Sequence, residues 1–176
     1  MAKTATSGTV TIDNTAPVMG TVTLRPTTAT ESDTLTCSGT GTDADGDSLT
    51  YATSWTVSGT TISATGSSID GSLFDKGDTV SCTITADDGT DTDSATSGTV
   101  TIGNTAPVMG TVTLTPTTAS ESDTLTCSGT GTDADGDSLT YETTWTVSGT
   151  TISATGNSID GADFNKGDTV SCTITA

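Results

Sequence analysis

The 176-residue chain contains no histidine, only four cationic residues, and only two each of tryptophan, tyrosine and phenylalanine. The missing histidine removes the commonest general base and the commonest metal-ligating ring, which excludes serine triads of the usual kind and imidazole zinc sites. Four Lys+Arg against 22 Asp+Glu leave a net charge of −18, so nucleic acid, whose phosphates are repelled, is an unsuitable partner. With 30% hydrophobic and 3% aromatic residues, any core must be thin and economically patterned. No run of 18 apolar residues exists, so no membrane-spanning helix is expected. The start, Met-Ala-Lys-Thr-Ala-Thr, carries no apolar signal core. Acidic clusters sit in turn-like segments without apolar or aromatic pocket residues beside them, so an enzyme is not expected.

What is abundant is threonine, 48 residues and over a quarter of the chain. Its use becomes clear from an internal repeat. Residues 7–86 match residues 97–176 at an offset of 90, with nine differences over 80 positions, among them Asp13/Gly103, Arg25/Thr115, Ala52/Glu142 and Leu73/Asp163. A period of 90 is too long for a solenoid unit and suits a small self-contained β-domain. Within each copy, segments such as Thr9-Val10-Thr11-Ile12 and Thr79-Val80-Ser81-Cys82-Thr83-Ile84 alternate apolar and hydroxyl residues. That period of two marks half-buried antiparallel strands, with β-branched threonine on the wet face. Strands are predicted near 17–25, 33–40, 48–57, 59–65, 67–70, 78–86 and 95–102. Seven short strands in 90 residues indicate a β-sandwich. Pro17 and Pro107 begin strands, and Pro26 and Pro116 break them.

Each copy also holds a Cys…Trp…Cys order, Cys37, Trp55 and Cys82, then Cys127, Trp145 and Cys172. With the segment from Asp75 to Cys82 and the seven-strand count, this resembles immunoglobulin-like domains. The resemblance implies bridges Cys37–Cys82 and Cys127–Cys172 joining facing sheets, with the tryptophan packed on the bridge. Bridged cysteines imply an oxidising, extracellular or cell-surface setting, and buried free thiols are the alternative.

Asp43-Ala44-Asp45-Gly46-Asp47 recurs as Asp133-Ala134-Asp135-Gly136-Asp137. Three carboxylates at alternate positions around a glycine can converge on calcium, which takes six to eight oxygens in irregular geometry. A solvated turn is the plainer reading, since Asp and Gly are ordinary turn residues. With its Asp-x-Asp-Gly-Asp-x-Leu-Thr phrasing, the loop resembles the Asp-rich loops of tandem bacterial immunoglobulin-like and cadherin-like surface repeats, which implies calcium binding. Asp13 with Asn14 likewise resembles the interdomain linkers of cadherins, where calcium stiffens the joint.

The phase of the repeat is the last clue. Residues 3–12 match 93–102, the seventh strand of the first copy, whereas the second copy has no such strand after it. The expected organisation is therefore a strand in 1–14 equivalent to the last strand of a preceding repeat, a full repeat over 15–104, and an incomplete repeat over 105–176. An open sheet edge with exposed core is a hazard unless filled. Residues 4–12 of one subunit, with Thr9, Val10, Thr11 and Ile12 at the centre, are expected to complete residues 105–176 of the next; the alternative is a segment of a longer tandem array, in which the strand pairs as the seventh strand of a neighbouring repeat. Such a heterologous contact propagates a head-to-tail homopolymer. The function expected is a structural fibre stiffened by disulfides and calcium. The alternative is an adhesive module that recognises a glycan or protein through its loops.

Overall fold

The computed structural model describes residues 1–176 and contains no helix. No segment forms a helix long and apolar enough to cross a membrane. The chain divides into two compact units, Met1–Gly103 and Asn104–Ala176.

In the first unit, β1 (Val18–Met19), β2 (Thr23–Arg25), β3 (Ala29–Thr30), β4 (Thr34–Ser38) and β5 (Gly41–Thr42) come before the long strand β6 (Thr50–Val57). They are followed by β7 (Thr60–Ile62), β8 (Ser68–Asp70), β9 (Thr79–Asp87), β10 (Thr92–Thr96) and β11 (Val100–Gly103). One sheet has the order β2-β4-β8 and the other β3-β11-β9-β6-β7, with β10 also on β9 and a short β1-β5 ladder apart. The β9 pattern shows why these residues form strands. Val80, Cys82, Ile84 and Ala86 are buried, whereas Thr79, Ser81, Thr83 and Thr85 are wet to varying degrees. The arrangement is that of a β-sandwich. Its core draws Leu24, Leu35 and Ile69 from one sheet and Trp55, Val80, Ile84, Val100 and Ile102 from the other. No polar or charged residue is buried.

The two sheets are joined covalently by Cys37–Cys82, from β4 to β9, and by the equivalent Cys127–Cys172 in the second unit. Trp55 stands directly opposite Cys82 in the ladder, is fully buried, and donates its indole N–H to the Gly66 carbonyl at 3.0 Å. Gly71 is required where it sits, because a Cβ there would lie 1.9 Å from the Glu31 carbonyl oxygen.

The second unit repeats the plan with β12 (Val108–Met109), β13 (Thr113–Thr115), β14 (Leu125–Ser128), β15 (Gly131–Thr132), β16 (Glu142–Val147), β17 (Thr150–Ile152), β18 (Ser158–Ile159) and β19 (Val170–Thr175). Its sheets are β13-β14-β18 and β17-β16-β19. Ala119–Ser120, at the position of β3, is not a strand, and β19 pairs on one side only.

Two strand expectations change in detail. The first predicted strand, 17–25, is split by Gly20 into β1 and β2, with the Gly20 N–H bound to the Thr40 carbonyl at 2.9 Å. The last, 95–102, is two strands, β10 and β11, whose registers against β9 differ by one residue. Residues 1–17 form no strand.

Candidate functional site

The two units differ most at residues whose sequence is the same. Val80, Cys82 and Leu24 are 0%, 1% and 5% exposed. Their counterparts Val170, Cys172 and Leu114 are all partly exposed. Ala29 is buried and Ala119 exposed. None of these four pairs involves a substitution, so the cause is a neighbour and not a side chain. Over Cys82 that neighbour is Ser97, and over the rest it is β11. In the first unit it lies between β9 and β3, pairing Val100 with Val80 and Thr101 with Thr79, and running parallel to β3 with Ile102 opposite Ala29. Ile102 is fixed at both backbone atoms, its N–H donating to the Asp78 carbonyl at 2.8 Å and its C=O accepting from Gly77 at 2.9 Å.

The same place in the second unit is a slot of about 710 Å³, lined among others by Leu114, Ala119, Leu125, Phe164, Gly167 and Val170. Its walls are built. The Glu121 carboxylate accepts the Lys166 N–H, and Asp168 accepts from Asn165 N–H at 2.8 Å and Ser148 Oγ at 2.6 Å. Asp123 accepts the Ser120 N–H at 2.7 Å. These bonds hold the carboxyl of Asp168, chiefly through Ser148, and of Asp123, chiefly through the Ser120 amide, below the ordinary carboxylate value. A folded pKa below the unfolded one stabilises the fold above about 3.9 and is lost as pH falls through the lower folded value. Thermal melts should therefore show an acid-side loss below about pH 4 that is smaller in Asp168→Asn than in the parent.

Residues 4–12, expected as a strand, are exposed and unpaired here. Val10 is 84% and Ile12 85% exposed, against 4% and 2% for Val100 and Ile102 in the identical segment 98–102. Thr9 and Thr11 are exposed as well.

The predicted acidic triplets do converge. One carboxylate oxygen from each of Asp43, Asp45 and Asp47 lies within 4.8 Å of the others, and the same holds for Asp133, Asp135 and Asp137. Asp43 Oδ1 accepts the N–H groups of Asp45 and Asp47 at 2.8 and 3.2 Å, which closes the loop over Gly46 at φ 82°. Asp43 Oδ2 is buried with no hydrogen-bond partner. A buried anionic oxygen left unmatched fits a cation ligand. Asp133 Oδ1 repeats the loop closure at 2.9 and 3.2 Å.

Asp13 and Asn14 lie outside both triplets. Asn14 instead reaches the loop between β9 and β10, donating its amide to Asp88 Oδ2 at 3.1 Å and Asp91 Oδ2 at 3.0 Å. The linkage to the triplet runs through Thr15, whose N–H meets Asp45 Oδ2 at 2.7 Å, as Thr105 meets Asp135 at 2.6 Å. The sequence shows Asp88 and Asp91 within an acidic loop over residues 87–93, but which residue they hold depends on the fold, and the slot walls were missed. Compared with protein-family models and with curated proteins, the chain matches none.

Proposed function

We infer that the chain is a structural repeat subunit of an extracellular or cell-surface fibre, built from tandem immunoglobulin-like domains and assembled head to tail by strand complementation. One observation carries the reading. The segment Gly8-Thr9-Val10-Thr11-Ile12 is free and exposed, its identical twin at 98–102 is a buried strand, and the second unit has an open slot with the walls that hold that twin. Residues 4–12 of one copy fill the slot of residues 105–176 in the next. The contact is heterologous, so copies join head to tail, in an open filament where the rotation between copies does not close a ring. The disulfides suit a setting outside the reducing cytoplasm. Sedimentation and negative-stain microscopy test the reading: thin fibres whose length grows with concentration are expected. A single 17.4-kDa species at high concentration with calcium present would overturn it.

Calcium is the second element, favoured by the unmatched Asp43 Oδ2. Asp43, Asp45 and Asp47, and in the second unit Asp133, Asp135 and Asp137, hold the ion and thereby quench repulsion within each loop. Binding to the folded state alone raises stability by about 2.7 kcal/mol at a hundredfold excess over Kd. Calcium titration should raise the melting temperature, and the Asp43→Ala, Asp133→Ala double variant should lose that rise. An unchanged melting temperature in the parent protein removes the ion from the account.

A further inference from the structure

The strand that closes the first unit is not continuous in its facing. Asp93, Ala95 and Ser97 point toward the protein, and then Val100 and Ile102 do, so the inward parity changes from odd to even. The pairing shows where. Thr96 faces Thr83, and Val100 faces Val80, so three residues, 97–99, oppose two, 81 and 82. This is a β-bulge, one extra residue that re-aims everything after it. Without it, Thr99 and Thr101 would face the core, and Val100 and Ile102 would face water.

Ser97 makes the bulge. Its N–H donates to the Cys82 carbonyl at 2.9 Å, while its Oγ accepts the Cys82 N–H at 3.1 Å. The hydroxyl proton goes to the Gly98 carbonyl at 2.8 Å. A side-chain oxygen thus stands in for a ladder carbonyl, at the residue that carries the intersheet bridge. Cys82 beneath it is 1% exposed. In the second unit Cys172 is partly exposed, with no strand over it.

The free N-terminal segment carries the same device. Lys3, Ala5 and Ser7 are followed by Val10 and Ile12, with Gly8 after the serine as Gly98 follows Ser97. Docking therefore has two halves in different registers, residues 4–6 and 10–12, which only a bulge at 7–9 can satisfy together. Resting on the strand-complementation reading above, we propose that Ser7 is the register latch of the docking strand: its Oγ takes the Cys172 N–H of the neighbouring copy, setting a bulge that turns Val10 and Ile12 into the slot and covers the Cys127–Cys172 bridge.

The latch is specific in what it demands of a partner. A strand with the right apolar residues and no serine-centred bulge fits one half of the site and misaligns the other. A second copy of this chain satisfies both halves. Docking also alters the exposure of one bridge and not the other. In the free subunit a reductant reaches Cys172 more readily than Cys82, and in the assembled one both are covered.

The test compares the full chain with Ser7→Ala, Ser7→Thr and a deletion of Gly8, measuring the concentration for half-assembly and the rate at which dithiothreitol opens each bridge. All three changes fall in an exposed, unpaired segment, so the fold of either unit is not at risk. Ser7→Ala leaves a desolvated Cys172 N–H without an acceptor and should raise the half-assembly concentration about tenfold or more. Ser7→Thr keeps the oxygen and should restore assembly. The Gly8 deletion should abolish fibres and leave Cys127–Cys172 as reducible as in the free subunit. If the parent assembles and Ser7→Ala and the deletion assemble equally well, the latch is wrong while complementation stands. If the parent chain does not assemble, or assembles without slowing reduction of Cys127–Cys172, complementation itself fails and the latch with it.

Discussion

The Val10→Asp, Ile12→Asp double variant remains monomeric at concentrations where the parent chain forms fibres. In the identical strand 98–102 both apolar side chains go almost fully into the core. Each such burial is worth about 1.5–3 kcal/mol, and in the proposed contact the two together form the core. Aspartate removes that gain and adds the cost of desolvating an anion with no cation in the slot wall except Lys166. Loss of at least about 3 kcal/mol shifts half-assembly by more than a hundredfold. Because both positions lie exposed in the free subunit, melting of the isolated units should not change. The matching change at Val100 and Ile102 should behave in the opposite way, unfolding the first unit outright. Sedimentation velocity and a thermal melt on both variants separate an assembly defect from a folding defect. Fibres formed by Val10→Asp, Ile12→Asp at parental concentrations would show that another surface makes the contact.

Removing the bridges gives the second large effect. Each closes a separation of 45 residues, which restricts the unfolded chain by about 4 kcal/mol in the loop-entropy model. The two units do not have the same reserve against this loss. The first buries 15 hydrophobic residues in its core and the second six, with β19 paired on one side where β9 is paired on both. The Cys127→Ala, Cys172→Ala variant should unfold the second unit at ordinary temperature and leave a single cooperative transition from the first. The Cys37→Ala, Cys82→Ala variant should lower the first transition by a similar free energy yet leave it folded. Denaturant melts followed by tryptophan fluorescence read both, since Trp55 and Trp145 are fully buried, one in each unit. Equal sensitivity of the two units would mean that the open slot costs little.

Much of the fold was legible because threonine and apolar residues alternate so strictly. Val80, Cys82, Ile84 and Ala86 are inward in β9 as their spacing requires. Both bridges join the cysteines that the immunoglobulin-like resemblance paired. What period-two reading could not supply was where pairing changes partner. The predicted strand 17–25 is two short ladders because Gly20 bonds back to Thr40, a tertiary event. The predicted strand 95–102 hides the bulge, although the shift from Ala95 and Ser97 to Val100 and Ile102 was there to be seen. At the candidate site, Val10 and Ile12 were readable as a copy of a core strand. The slot walls were not, since Glu121, Asp123 and Asp168 meet their partners through loop folding. Asn14, with Asp13, reads by resemblance as part of a calcium-stiffened linker, and that its amide binds Asp88 and Asp91 was not legible, because only the fold brings the loop between β9 and β10 to that side chain.

The absence of any buried charged residue has a colloidal consequence. With the whole net charge of −18 on the surface, two copies approaching flank to flank repel over roughly 10 Å at 0.1 M salt. In the proposed assembly the slot is where apolar area has to outweigh that repulsion. Fibres of this chain should therefore stay single and unbundled in dilute salt, and draw together sideways only as added salt or divalent cations shorten the screening distance.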